Sequence, residues 1–313
     1  RCTSLVAMDY LRLSRWKNVL MVIATQAFTL FFVLNPFLSY TGLFSVQNTI
    51  VFLAIGLASV FISAGGYVIN DYYDVEIDKA NRISVIIGES IQQVYAVRFY
   101  LILTAIGVSA GIVAGVILKN ALFSGSFLVI AILLWSYSHS LKKIFPWGNL
   151  LVAFLSAYPV FIMYWAVSLV YPESLKADGS WIIMTYFVFG YGFFAFAVHL
   201  LREIIKDAED YSGDSAFGAR TLPLLLGKKR TVHVCLALSA AIMLLLLSAQ
   251  VLLLSEDFIF LPAYLLLVQV LFIRLWMKLQ QAKLPEDFHK ASTNAKIIML
   301  AGISSMILIP VVL

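Results

Sequence analysis

The sequence predicts an all-α, polytopic membrane protein: a bundle of nine transmembrane helices around a central cavity. Three observations predict it. Of 313 residues, 62% are hydrophobic and only 12% charged, about half the charge of a soluble domain, and the mean hydropathy is +0.93. Apolar runs of bilayer length recur nine times along the chain. The cations between those runs fall almost entirely on one side. A soluble chain could not hide so much apolar surface, whereas a bilayer covers it.

Residues 1–17 lack an uninterrupted apolar core and a cleavage site, so no cleavable signal peptide is expected there. Leu5, Met8, Leu11 and Leu13, mixed with Arg12 and Arg15, predict a short interfacial helix instead. The apolar runs follow at 18–38, 49–69, 94–117, 120–138, 149–170, 180–200, 231–254, 257–277 and 293–313. The sixth is the most interrupted, by Gly190, Gly192 and His199, yet it holds no Asp, Glu, Lys or Arg. With the N-terminus cytoplasmic, the inside segments are 1–17, 70–93, 139–148, 201–230 and 278–292, together with the positions flanking the span ends. Of the 22 Lys and Arg residues, only Lys119 and Lys176 then lie outside, the asymmetry expected of a correct span count. The expectation is one multi-pass domain over 1–313. Its net charge of +5 suits contact with anionic membrane lipids, and neither a nucleic acid nor a protein partner is implied. Cys2 and Cys235 have no ligand-like spacing and read as small apolar fillers.

Two inside segments, about 70–93 and 201–230, are long and charged, and loops of that length commonly carry function. The first contains Asn70-Asp71-x-x-Asp74-x-Glu76-x-Asp78, the second Glu203-x-x-Lys206-Asp207-x-Glu209-Asp210-x-x-x-Asp214. Both share the spacing Asp-x2-Asp-x3-Asp. On a helix, positions i, i+3 and i+7 fall within roughly 60° of one another. Asp71, Asp74 and Asp78 therefore share a face, as do Asp207, Asp210 and Asp214, while Glu76 and Glu209 point elsewhere. Three carboxylates on one face repel one another unless cations compensate. A charged membrane boundary explains one such cluster; two of identical spacing, after the second and sixth spans, point to divalent cations. Oxygen ligands suit Mg²⁺, which is held by a few carboxylates together with substrate phosphates. Two facing triads with a phosphate between them would meet that requirement. Arg82, Lys142, Lys143, Lys206 and Arg220 surround the clusters and suit an anionic substrate.

Asn70-Asp71-x-x-Asp74-x-x-x-Asp78 and Asp207-x-x-Asp210-x-x-x-Asp214 resemble the paired signatures of the UbiA superfamily of intramembrane prenyltransferases. Nine spans, an inside N-terminus and motifs after spans two and six match as well, so the resemblance covers nearly the whole chain. It implies that the six aspartates bind Mg²⁺ and are catalytic. It also implies that Asn70, Arg82, Lys142, Lys206 and Asn18 bind the substrate diphosphate or line its pocket. The stretch from Arg202 to Asp214, followed by Phe217-Gly218-Ala219-Arg220-Thr221-Leu222-Pro223, is most similar to a branch that prenylates a glyceryl phosphate. That branch transfers a geranylgeranyl group from its diphosphate to geranylgeranylglyceryl phosphate, forming an ether lipid precursor, and implies a prokaryotic cell (inner) membrane with both motifs cytoplasmic. One departure stands out. Many relatives follow the first motif with Asn-Arg-Pro-x-Arg-Pro, whereas this chain reads Asn81-Arg82-Ile83-Ser84-Val85-Ile86, without the proline and the second basic residue.

The resemblance implies a mechanism in which a prenyl diphosphate ionises, the apolar helices exclude water from the allylic cation, and a lipid-like hydroxyl acceptor attacks C1. Tyr67, Tyr72, Tyr137 and Tyr191 are candidates to face that cation, and the identity of the base stays open. His199 and His233 read as packing histidines, His139 and His289 as interfacial ones. An aromatic acceptor, as in quinone or chlorophyll synthesis, is the alternative within the same chemistry. A cation-binding transporter is more distant, because transport sites lie near the bilayer midplane and these aspartates lie at helix ends.

Overall fold

The computed structural model describes residues 2–38, 41–80, 85–173, 176, 179–256 and 259–310, the side chains of 2–6, 41 and 42 excepted. Among the described residues there are no named strands, only two isolated bridges, Ile87 with Ile91 and Ile144 with Arg220, and nine helices are long and apolar enough to cross a membrane. Leu53, Val116, Leu122 and Leu252 are among many large apolar side chains on the surface, a face that suits lipid rather than water. The predicted fold class and the multi-pass membrane character are therefore borne out.

The N-terminal helix is α1 (Cys2–Leu13), and α2 (Trp16–Phe28) opens the first span. That span continues as a π-turn over Thr29–Leu34 and a 3₁₀ turn over Asn35–Phe37, where Pro36 removes a backbone donor and stops the helix. Next come α3 (Val46–Ala80), α4 (Gln93–Ile117), α5 (Ala121–His139) and α6 (Trp147–Val170). The chain continues with α7 (Gly179–Glu209), the short α8 (Tyr211–Ala216) and α9 (Leu222–Leu226), then α10 (Lys228–Ser255), α11 (Phe260–Gln281) and α12 (Pro285–Ser305).

Two helices are much longer than a bilayer requires. At 1.5 Å per residue, α3 is about 52 Å and α7 about 46 Å long, against a hydrocarbon core of about 30 Å. Both acidic motifs begin on the surplus turns. Residues 70–80 and 201–209 are helical, not loop as the charge pattern suggested, because polar residues outside the hydrocarbon do not end a helix unless Gly or Pro intervenes.

The chain divides into two compact units. The first comprises Arg1–Gln26, Tyr40–Lys142 and Ile162–Pro172. Its helices close on a stripe of small residues along α4. A Cβ at Gly107 would lie 2.7 Å from Ile62 Cγ1 and 2.9 Å from the Ile62 backbone nitrogen, and one at Gly115 would collide with Ser124 of α5. Such close backbone approach is how helices associate in lipid, where burial of apolar surface gives no driving force.

The second unit comprises Ala27–Ser39, Lys143–Phe161 and Glu173–Leu313. Within it α7 and α12 pack antiparallel. His289 Nδ1 meets Glu209 Oε1 at 2.8 Å near one end, and the Tyr191 and Ser305 hydroxyls lie 2.9 Å apart toward the other. Polar contacts also join α10 to α11: Trp276 Nε1 donates to Ser239 Oγ at 2.5 Å and Gln250 Nε2 to the Pro262 carbonyl at 2.9 Å. In an apolar medium these donors have no water to return to.

Candidate active site

In the first unit, Asn70 to Asp78 occupy the last turns of α3. Asp71, Asp74 and Asp78 are half-buried, whereas Glu76 is exposed and pairs with Lys79 at 3.1 Å. The separation of Glu76 from the triad expected from helical spacing is thus observed. Lys142, only 11% exposed, places Nζ 2.5 Å from Asp74 Oδ1 and 3.3 Å from Asn70 Oδ1. Asn70 Nδ2 donates to Asp74 Oδ2 at 2.9 Å. Both Asp74 oxygens are therefore engaged, one by a cation and one by an amide.

Asp71 is held by a residue that sequence reasoning did not place in the site. Arg15, in the turn between α1 and α2, donates Nη2 to Asp71 Oδ1 at 2.6 Å and lies over the Tyr67 ring at 5.4 Å. Its φ of 47° puts it in the left-handed region, which is unusual outside Gly, Asn and Asp. Burial works against the guanidinium charge, but Asp71, Tyr67 and Asp78 outweigh it and hold Arg15 above the ordinary arginine value. Arg15 stays charged beside a carboxylate that it neutralises.

In the second unit, Asp207 lies in the last turn of α7. The buried Asn149, near the start of α6, donates Nδ2 to Asp207 Oδ2 at 2.9 Å. Lys206 Nζ lies 3.9 Å from Asp210 Oδ2. Here the helical phase of the triad is not kept: α7 ends at Glu209, Asp210 is the junction, and Asp214 sits in α8. Carboxylates at Asp207, Glu209 and Asp210 oppose the negative end of the helix dipole, and Ser212-Gly213 does little to carry the helix onward. Asp207 and Asp210 remain one turn apart, while Asp214 follows on a separate short helix.

Of the other expected residues, Asn18 lies half-buried in the first turn of α2, with no hydrogen-bond partner for its side chain among the described residues. Arg82 lies outside the described residues. Arg220 is exposed, but its backbone is tied to the segment after Lys142: its N–H donates to the Lys143 carbonyl at 2.7 Å and its carbonyl accepts from Phe145 at 3.0 Å. The structure thus joins Asn70, Asp71, Asp74, Lys142 and Arg15 in the first unit, and Asn149 with Asp207 and Lys206 with Asp210 in the second. Asn149 was detectable as a polar residue opening an apolar run. Arg15 was not, because its partner is 56 residues away and no local spacing marks the pair.

The donor set fits Mg²⁺. The motif donors are carboxylate and amide oxygens, the hard ligands that ion takes. Among the described residues, no group of three or more His, Cys, Asp or Glu side chains is placed so that it could by itself hold a metal ion. Mg²⁺ keeps waters and shares one or two carboxylates with substrate phosphates, so it needs no such cage.

The chain is similar to known proteins over most of its length. The model of the UbiA prenyltransferase family matches residues 20–297. A digeranylgeranylglyceryl phosphate synthase from Saccharolobus solfataricus is 33% identical over 260 residues, which cover 82% of this chain and 82% of that protein. Among solved structures, an apo UbiA homolog from Aeropyrum pernix K1 superimposes with a TM-score of 0.65 at 17% identity, covering 90% of this chain and 96% of that one. A UbiA homolog from Archaeoglobus fulgidus bound to DMAPP and Mg²⁺ gives 0.56 at 17% identity, covering 95% and 99%. With the family model spanning most of its length and paired aspartate motifs at the ends of two overlong helices, this chain belongs to the UbiA prenyltransferase family and is an intramembrane prenyltransferase.

Proposed function

We propose that this protein transfers a geranylgeranyl group from its diphosphate to the free hydroxyl of geranylgeranylglyceryl phosphate, forming an ether. The observation that carries this reading is the 33% identity to a synthase of that product over 82% of the chain. Asp71, Asp74 and Asp207, each held by a nitrogen donor from another segment, support it. In the reaction, the C1–O bond to diphosphate breaks, a C1–O bond to the acceptor forms, and the acceptor hydroxyl loses its proton. Asp71, Asp74, Asp78, Asp207, Asp210 and Asp214 are the proposed Mg²⁺ ligands. The bound ion would neutralise the diphosphate and make it a better leaving group, consistent with the Mg²⁺ and DMAPP bound by the Archaeoglobus homolog.

The remaining roles belong to the chain itself. Lys142, Lys206 and Arg82 are proposed to bind diphosphate oxygens, with Asn70 orienting Asp74 and Asn149 orienting Asp207. The apolar helices hold the prenyl chain and exclude the water that would quench an allylic cation. The N-terminus and both motifs are proposed to lie on the cytoplasmic side, and residues 1–313 to act as one catalytic domain.

The test is incubation of the purified protein in lipid vesicles with labelled geranylgeranyl diphosphate and either geranylgeranylglyceryl phosphate or an aromatic hydroxy acid. Ether product with the glyceryl phosphate, lost on chelating Mg²⁺, is expected. Product formed with the aromatic acid alone would replace this reading.

A further inference from the structure

Two contacts within the second unit fix the register of α11 against α12. Asn294 Nδ2 donates to the Leu271 carbonyl at 3.0 Å, and Lys278 Nζ donates to the Lys290 carbonyl at 3.2 Å. The helices therefore run antiparallel, with the last turns of α11 beside the first turns of α12. Arg274 lies between these contacts, one turn or about 6 Å inward of Lys278. It is exposed although it falls inside the apolar run 257–277. Ile273 and Met277 flank it on α11, and Ile297 follows Asn294 by about one turn on α12; all three are exposed, as a lipid-facing surface requires.

Arg274, Lys278 and Lys290 gather like charge at this corner, and the charges of Arg274 and Lys290 both reach Lys278. Among the described residues, none of the three forms an ion pair with a carboxylate. The acids close by are turned elsewhere. Asp287 reaches Lys290 by charge, but its Oδ2 accepts from the backbone N–H groups of Lys283 and Leu284 at 3.1 and 3.0 Å. Glu286 is exposed. At the end of α7, Glu209 meets His289, Asp210 faces Lys206 and Asp207 faces Asn149. From Arg274 to Lys290 the chain carries Arg274, Lys278, Lys283 and Lys290 against Glu286 and Asp287, an excess of cations that remains if Glu209 is added. The C-terminal dipole of α11 favours Arg274 and Lys278, whereas Lys290, in the second turn of α12, gains nothing from its helix. Like charges gathered in this way repel one another, and an exposed cation among apolar side chains needs an anion or water at its head.

We infer that Arg274, Lys278 and Lys290 form a docking site for the headgroup of an anionic phospholipid, whose apolar chains lie along the exposed face of Ile273, Met277 and Ile297. The Arg274 guanidinium presents a planar fork to phosphate oxygens, and the two ammonium groups add charge. Basic sites between helices at a membrane face take anionic headgroups in this way. A soluble phosphate would leave the apolar face below the cations uncovered, which favours the lipid. The site is separate from the residues proposed to bind Mg²⁺ and diphosphate and does not depend on the acceptor.

The test is mass spectrometry of the purified protein under non-denaturing conditions in detergent, titrated with phosphatidylglycerol, phosphatidylcholine or free glycerol phosphate. Wild type is expected to retain phosphatidylglycerol in preference to phosphatidylcholine and not to retain glycerol phosphate. Arg274→Gln, Lys278→Gln and Lys290→Gln should each weaken phosphatidylglycerol binding by about fivefold, the effect of one cation at an anionic surface, and Arg274→Lys should recover part of the loss. Lys229→Gln and Arg230→Gln, exposed on α10, should leave it unchanged. Thermal stability without lipid should not fall in the three Gln variants, because each relieves like-charge repulsion, while the stabilisation given by phosphatidylglycerol should shrink. The inference is overturned by equal losses in the α10 variants, which would mark diffuse attraction. Equal retention of phosphatidylcholine, or binding of free glycerol phosphate, would overturn it too. So would a raised KM for a phosphorylated acceptor in zwitterionic vesicles, which would make this a substrate site.

Discussion

Replacing Asp74 by asparagine lowers prenyl transfer by roughly 10²- to 10³-fold, the range for removing one charge-stabilising group from a reacting centre. The substitution keeps side-chain size and removes only the charge. Asp74 accepts from Lys142 at 2.5 Å and from Asn70 at 2.9 Å, so the asparagine removes the carboxylate charge that faces the mostly buried Lys142 ammonium. The loss should appear as a higher Mg²⁺ concentration for half-maximal activity together with a lower kcat. Glu76→Gln is the matched control. Glu76 is on the same helix two residues away, but it is exposed and faces Lys79, and its substitution should change activity less than about twofold, as exposed pairs contribute little. Steady-state kinetics at varied Mg²⁺ would measure both. Equal effects of the two substitutions would mean that helix charge as a whole, rather than the buried face, carries activity.

Asp207→Asn should be as damaging, and Asn149→Ala should reproduce part of the effect without touching a carboxylate. The Asn149 amide fixes one Asp207 oxygen at 2.9 Å. Groups that orient metal ligands in this way are worth about 10- to 100-fold in affinity or activity. The expected signature of Asn149→Ala is therefore a rise of that size in the Mg²⁺ requirement at nearly unchanged saturating kcat. A merely structural role would lower thermal stability and leave the Mg²⁺ requirement alone. Asn149→Asp would place a second carboxylate beside Asp207 and is expected to be worse than alanine.

Much of the fold was legible because the bilayer writes a simple pattern. Runs of about 20 apolar residues correspond to nine long helices among the described residues, and the sidedness of the cations agrees with the same count. The boundaries were harder to read. Span nine was expected over 293–313, whereas α12 starts at Pro285, since Glu286, Asp287 and Lys290 leave the apolar run without leaving the helix. The same cause made the motifs look like loops. Helical spacing put Glu76 off the triad correctly, because α3 is unbroken to Ala80. It failed for Asp214, because α7 stops at Glu209 and a wheel drawn through a helix end has no phase.

The site was legible in its acids and only partly in its partners. Two equal aspartate spacings are a local signal, and Lys142 was reached through resemblance. Arg15 belongs by sequence only to the expected interfacial helix, since nothing near it points to Asp71; the turn that presents it, with φ at 47°, becomes visible only in three dimensions.

The most direct test of the central claim, that both aspartate clusters hold the divalent cation used by the donor, is Mn²⁺ binding followed by electron paramagnetic resonance with geranylgeranyl thiodiphosphate present. About two bound ions per chain are expected in the wild type, as in other two-metal centres, and a loss of about one in Asp74→Asn and in Asp207→Asn alike. A stoichiometry unchanged by both substitutions would contradict it.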